Sequence, residues 1–220
     1  MDAARLQAEF AERLAAMPVI AILRGVRGDE VVQVAEAIIA AGVTLIEVPL
    51  SSPDPFVAIG HLARHCGGRA IIGAGTVLSV ADVARARDAG SQLIVSPNMR
   101  ADVIAASVAA GMISAPGCMT ATECFAALEA GADAIKLFPG ELVSPASVKA
   151  LRAVLPPAAR LLVVGGVTPQ NAGPFLVAGA DGFGVGGSIY RAGWSAAQAG
   201  ENAAAFAQLL SEFGAKVFPG

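Results

Sequence analysis

One unit recurs through this chain: an alanine-rich helical stretch, a glycine, then a short apolar run. It reads AAGVTLIEV, DAGSQLIVS, AAGMISAPG, EAGADAIKL and VAGADGFGV, with the glycines at Gly42, Gly90, Gly111, Gly131 and Gly179. A glycine just past a helix end closes the helix in the left-handed conformation without a Cβ penalty. Loops from helix to strand are short, so the apolar run is the next strand. Less regular segments complete the count. Strands are expected near 19–24, 44–48, 70–74, 92–96, 112–115, 133–138, 161–165 and 182–186. Helical patterns separate them, among them Glu30–Ala41, Ala81–Ala89 and Ser144–Val154. Further helices are expected at the N-terminus (about 3–15) and the C-terminus (about 195–213). Eight strands alternating with helices predict an α/β fold with a parallel sheet, and eight units can close into a (β/α)8 TIM barrel. A doubly wound open sheet is the rival. It would need fewer strands or a switch point, and no GxGxxG follows the first strand.

The length of 220 residues suits one domain, taken as 1–220. Hydrophobic residues make up 55% and charged residues 15%. Two stretches carry no charge, Val103–Thr122 and Leu161–Ala180, but glycine, proline and polar residues break both. A membrane-spanning helix needs a smoother run. The N-terminal MDAARLQAEFAERL has no apolar signal core, so a cytoplasmic protein is expected. A net charge of −3 with no basic block gives no reason to expect nucleic acid. The three cysteines, Cys66, Cys118 and Cys124, lack metal spacing and read as reduced structural thiols. His61 and His65 are four apart on an expected helix, a spacing able to bind a metal. That helix would lie outside the barrel with no acidic or cysteine ligand placed beside it, so exposed histidines are expected and no metal.

The repeat also works as a ruler. Five residues after a repeat glycine stand Glu47, Val95, Lys136 and Gly184, on four alternate strands. Alternate strands of this barrel supply the four side chains of one interior layer. Glu47 and Lys136 are therefore expected to project from opposite walls of one layer, with Gly184 leaving it partly empty. A buried structural ion pair is the bland alternative, but burying two charges is rarely a net gain over apolar packing. The lysines point the same way. There are three, Lys136, Lys149 and Lys216, against twelve arginines. Lys149 reads as a solvated helix position and Lys216 lies in the C-terminal tail, whereas Lys136 sits within the apolar A-I-K-L-F. Lysine, unlike arginine, loses its proton when desolvated and becomes a nucleophile.

Glycine pairs end the last two strands: Gly165-Gly166, and Gly186-Gly187 followed by Ser188. In this fold those loops, with a short helix N-terminus, often bind phosphate. Ser188 is a candidate both to cap that helix and to donate to a phosphate oxygen; ordinary barrel turns also use glycine. Arg24 ends strand 1 and suits a planar oxyanion, or is a plain loop arginine. Thr76 offers a hydroxyl after strand 3, or an N-cap for the helix at Ala81.

The segments L-I-E-V-P-L-S-S-P, I-G-A-G-T-V-L, L-I-V-S-P-N, P-G-C-M-T-A-T-E, A-I-K-L-F-P, V-V-G-G-V-T-P-Q-N and G-S-I-Y-R-A-G resemble, in order from about Pro18 to Gly193, the bacterial 2-keto-3-deoxy-6-phosphogluconate and 6-phosphogalactonate aldolases. The resemblance implies a class I aldolase without a cofactor, with Lys136 carrying a Schiff base and Glu47 shuttling protons. It implies that Arg24 and Thr76 contact substrate and that Gly165, Gly166, Gly187 and Ser188 hold its phosphate. The implied partners are a phosphorylated 2-keto-3-deoxy sugar acid, pyruvate and glyceraldehyde 3-phosphate, and the implied assembly is a homotrimer. The sequence is more similar to the 6-phosphogalactonate branch, which belongs to D-galactonate degradation. The other branch tends to have Thr-Leu-Arg where this chain has Pro49-Leu50-Ser51, and threonine where this chain has Val164. A threonine hydroxyl can hydrogen-bond the substrate hydroxyl whose configuration separates the two sugars, and valine cannot. The alternatives are an aldolase for 6-phosphogluconate or 4-hydroxy-2-oxoglutarate, a phosphosugar isomerase or epimerase on the same barrel, and a barrel that only binds a phosphometabolite.

Overall fold

The structure, a computed structural model, describes residues 2–217, with side chains to residue 210. Residues 1 and 218–220 of the expected domain, and the side chain of Lys216, lie outside the described residues. Helices and strands alternate after an N-terminal helix α1 (Ala3–Ala16): β1 (Val19–Ile22), α2 (Val31–Ala40), β2 (Leu45–Pro49), α3 (Pro55–Cys66), β3 (Ile71–Gly75), α4 (Val80–Asp88), β4 (Leu93–Val95) and α5 (Ala101–Ala109). Then come β5 (Ile113–Ala115), β6 (Gly117–Cys118), α6 (Ala121–Glu129), β7 (Ile135–Leu137), α7 (Pro145–Val154), β8 (Leu161–Val164), α8 (Pro169–Val177), β9 (Gly182–Val185) and α9 (Ala196–Val217).

All five repeat glycines have positive φ, between 70° and 99°. After each one the next N–H reaches back to the helix, as from Val43 to the Ile38 carbonyl and from Ala132 to the Ala127 carbonyl. This six-to-one bond satisfies a helix-end carbonyl and turns the chain straight into the next strand.

The strands form one parallel sheet in the order β5-β4-β3-β2-β1-β9-β8-β7-β6. Pairing of β1 with β9 sets the first strand beside the last. The two outer segments, β5 and β6, are pieces of one stretch interrupted at Pro116, which has no N–H to give a ladder. Across that seam the Ala134 N–H donates to the Ser114 carbonyl and the Lys136 N–H to the Pro116 carbonyl (2.9 Å). The sheet thus closes into the expected (β/α)8 barrel, whose fifth strand is split.

Side chains alternate along the strands. Val19, Ala21, Ile46, Val48, Ile72, Ile94, Ile135, Leu161 and Val163 pack outward against the helices. Ile20, Ile22, Leu45, Ile71, Leu93, Ile113 and Leu162 fill the interior. Leu6, Phe10 and Leu14, on one stripe of α1, join the interior cluster and seal its lower end. The three cysteines are buried free thiols.

Candidate active site

At the carboxyl ends of the strands the apolar interior gives way to a small chamber. It is lined by Ile20, Ile22, Glu47, Val95, Ala115, Lys136, Leu162, Val164 and Gly184. The ruler residues Glu47, Val95, Lys136 and Gly184 all face it. One detail differs: the space beside Gly184 is not empty. A Cβ built there would lie 2.7 and 2.9 Å from the Val164 methyls, so valine fills the gap.

Glu47 is 2% exposed and Lys136 7% exposed. Burial pushes the Glu47 carboxyl up to about 7, against the opposite pull of Lys136 and Arg24. Burial also lowers Lys136; the Glu47 charge opposes this and Arg24 adds to it. The two groups form no direct ion pair. Lys136 Nζ instead lies 4.5 Å from the centroid of the Phe138 ring. Among the described residues, Glu47 Oε2 is the one buried side-chain nitrogen or oxygen with no hydrogen-bond partner. An orphan acceptor of this kind asks for a functional explanation. The pair is poised as a protonatable acid and a lysine inclined to be neutral, a combination suited to imine and proton-transfer chemistry.

Gly75 makes room for this arrangement. A Cβ at that position would fall inside the Glu47 carboxylate. Sequence reading singled out Thr76 instead. Thr76 follows β3 directly and holds a positive φ of 58°, rare for a β-branched residue. It lines neither the chamber nor the cleft above it, and it does not cap α4. That role belongs to Ser79, whose hydroxyl accepts from the Asp82 N–H.

The chamber opens into a cleft bordered by Arg24, Lys136, Phe138, Glu141, Val164, Gly165, Gly166, Thr168, Gly187, Ser188 and Arg191, among others. Its cavity volume of about 410 Å³ is of the size of small-molecule sites. Arg24 is exposed at the end of β1, and its Nη1 donates to Ser51 Oγ at 3.2 Å. Next to it the Gly25 N–H donates to Ser52 Oγ (2.9 Å), which binds the β1 and β2 loops together.

Gly165, Gly166, Gly187 and Ser188 border the cleft, but Ser188 heads no helix. It lies in a turn in which the Ile189 and Tyr190 N–H groups both bond the Gly186 carbonyl. The turn does not spend the N–H groups of Gly187 and Ser188 in that way. The Ser188 hydroxyl donates to the Val167 carbonyl at 2.8 Å. The helix whose start meets the cleft is α8, through its N-cap Thr168, and a helix N-terminus favours an anion. Arg191 was not singled out in the sequence. Its Nε donates to the Gly187 carbonyl (2.9 Å) and it lies over Trp194, which sets a cation beside the turn. The signal for it was its position three residues after Ser188.

His61 and His65 sit on α3 outside the barrel. Their Nδ1 atoms lie 2.9 Å from the Gly28 carbonyl and 2.8 Å from the His61 carbonyl, respectively. Among the described residues no group of three or more His, Cys, Asp or Glu side chains is arranged to hold a metal. Lys149 is exposed on α7.

Known proteins bear on this geometry. A family model for KDPG and KHG aldolase matches residues 10–205. The chain is 45% identical to 2-dehydro-3-deoxy-6-phosphogalactonate aldolase of Escherichia coli (strain K12) over 89% of its own length and 96% of that protein's. It superposes on a native KDPGal structure with a TM-score of 0.88 at 45% identity, covering 90% of this chain and 96% of that one. It also matches a subunit of a cube-shaped cage designed by fusing symmetric oligomeric domains, with a TM-score of 0.89 and 44% identity over 91% of this chain and 74% of that one. A parallel barrel with a buried lysine and glutamate at its mouth, matched over nearly its whole length, belongs to the KDPG and KHG aldolase family.

Proposed function

We propose that this protein is a single-domain class I aldolase that reversibly cleaves 2-dehydro-3-deoxy-6-phospho-D-galactonate to pyruvate and D-glyceraldehyde 3-phosphate. One observation carries the reading: Lys136 and Glu47 share a buried chamber, with the lysine lowered toward neutrality and the carboxyl raised to about 7. The identity of 45% to the Escherichia coli enzyme named for that substrate supports the choice of epimer.

In the reaction, neutral Lys136 Nζ attacks the C2 ketone to give a carbinolamine, and loss of water leaves an iminium. Glu47 takes the proton of the C4 hydroxyl. The C3–C4 electron pair moves into the iminium as that bond breaks, so the aldehyde leaves and an enamine remains on the lysine. Glu47 then returns its proton to C3, and hydrolysis of the pyruvyl imine frees the lysine. General acid–base help of this kind contributes about 10²–10⁴-fold. Arg24 meets the negative charge at the keto-acid end of the cleft, with Thr76 near the same strand ends. The phosphate lies against the backbone of Gly165, Gly166, Gly187 and Ser188, where the start of α8 and Arg191 complement its charge. Val164, buried at the mouth of the chamber, presents only methyl groups to the C4 hydroxyl.

The proposal extends to a cytoplasmic homotrimer. Support for assembly comes from exposed apolar side chains at Leu78, Val80, Met119 and Phe125 and from the symmetric oligomeric domains of the related designed cage. The substrate is a charged phosphorylated metabolite, and among the described residues no helix is long and apolar enough to cross a membrane.

Borohydride added to enzyme and pyruvate should trap one adduct, on Lys136, and cleavage should favour the galactonate epimer when both C4 epimers are offered. Activity abolished by a chelator with no adduct formed would refute the imine, and an isomerase would likewise give no adduct. Preference for the gluconate epimer would move the protein to the other branch.

A further inference from the structure

The cleft carries one carboxylate, Glu141, among the basic side chains Arg24, Lys136 and Arg191. The backbone fixes its place. Glu141 lies in a short 3-10 turn, Gly140–Leu142, after β7. A Cβ at Gly140 would collide with the Gly165 carbonyl and lie 2.8 Å from the Val164 carbonyl, so the β7 and β8 loops touch backbone to backbone. The missing side chains of Gly165 and Gly166 then leave the space that Glu141 occupies. A Cβ at Gly165 would lie 2.5 Å from Glu141 Oε2, and one at Gly166 would lie 3.0 Å from Glu141 Cγ. No described residue hydrogen-bonds or ion-pairs with this carboxylate.

An ionised carboxylate is an acceptor only. It repels a phosphate and rewards a hydroxyl donor. The cation beside the Gly187–Ser188 turn is Arg191, so the dianionic end of a substrate is drawn to the Gly187–Ser188 side of the phosphate loops, while the Cα atoms of Gly165 and Gly166 face Glu141. The carboxylate lies against Gly165 and Gly166, directly after Val164 in the chain, and Val164 lines both chamber and cleft with no polar side-chain atom to offer.

Building on the aldolase reading, we infer that Glu141 accepts a hydrogen bond from the secondary hydroxyl of the aldehyde half of the substrate, next to the phosphorylated carbon, and is a specificity residue of the cleft. It makes glycine at 165 and 166 serve two purposes: backbone for the anion and room for the carboxylate. It also supplies the polar recognition that Val164 cannot.

The test uses the aldol direction. Pyruvate is added to glyceraldehyde 3-phosphate or to 3-oxopropyl phosphate, which lacks that hydroxyl, with the wild-type enzyme, Glu141→Ala and Glu141→Gln. The wild type should favour the hydroxylated acceptor. Glu141→Ala should lose about 10- to 100-fold in kcat/KM on it, the range for a hydrogen bond to a charged acceptor, and little on the deoxy acceptor. Glu141→Gln, which keeps an acceptor oxygen, should recover most of the loss. Equal losses on both acceptors, no loss, or a gain on both would overturn the inference, and a gain would mark Glu141 as a charge that opposes phosphate. Borohydride trapping of pyruvate alone keeps the two readings apart. Failure of the wild type to trap strikes the imine mechanism, whereas normal trapping with no Glu141 effect strikes only this assignment.

Discussion

Glu47 should cost the fold stability that the reaction needs it to cost. Its carboxyl rises from the ordinary 4.5 to about 7 because burial penalises the charged form more than Lys136 and Arg24 favour it. A folded state that holds a proton more tightly than the unfolded one loses stability as pH rises between the two values. The penalty is therefore absent below about 4.5, grows through the window between, and is complete above about 7. At about 1.4 kcal/mol per pH unit the full effect is on the order of 3 kcal/mol. Glu47→Gln keeps the shape and removes the charge. In urea unfolding followed at fixed protein concentration, the variant should gain up to about 3 kcal/mol over wild type at pH 8 and little or nothing at pH 5, while its cleavage activity collapses. A gain of equal size at both pH values would show that the carboxyl is not held protonated by burial. A loss at pH 8 would show that the ionised form is a net stabiliser, and the argument for a raised pKa would fail.

Three further outcomes follow from the same geometry. Wild-type kcat/KM for cleavage should rise with pH through an inflection near 7, because Glu47 must be ionised to take the hydroxyl proton and Lys136 must be neutral to attack; a profile flat from pH 5.5 to 8.5 would contradict this. Gly75→Ala pushes a methyl into the Glu47 carboxylate, and a displacement of about 1 Å at a catalytic group costs about 10²-fold, so kcat should fall by at least that much with circular dichroism unchanged. Val164→Thr should raise cleavage of the gluconate epimer relative to the galactonate epimer by about 10-fold or more, measured as a ratio of kcat/KM values; an unchanged ratio would remove Val164 from epimer choice.

The fold was legible because its punctuation is chemical. A helix that ends in alanine followed by glycine forces one local turn, and five such turns set the spacing of the strands. The spacing then set the register, which is why Glu47 and Lys136 came out facing one chamber. What stayed hidden depends on distance in space rather than in sequence. The strand expected near 112–115 stops short of Pro116, yet Gly117 and Cys118 resume it against β7. Gly184 was read as a void, because a missing side chain says nothing of the neighbour that fills it, here Val164. Ser188 was a candidate helix cap as well as a phosphate donor from its place after the glycine pair, although the helix that meets the cleft begins a strand earlier. Gly75 and Glu141 gave no local signal. One matters for the atom it lacks, the other for a contact between two loops 24 residues apart, Glu141 against Gly165.

The pairing of β1 with β9 has a consequence for how the protein matures. One wall of the cleft, Arg24, is made within the first 24 of 220 residues, and another, Gly187 to Arg191, near the end of the chain. They meet only when the barrel closes, with Gly25 packed against Ala192 so tightly that a Cβ would approach to 3.1 Å. Contacts so far apart in sequence form late and at high loop-closure cost. An incompletely synthesised or partly folded chain thus has the lysine and the glutamate but not the groove that delivers a substrate to them. Binding of the phosphorylated end reports that the ring is complete.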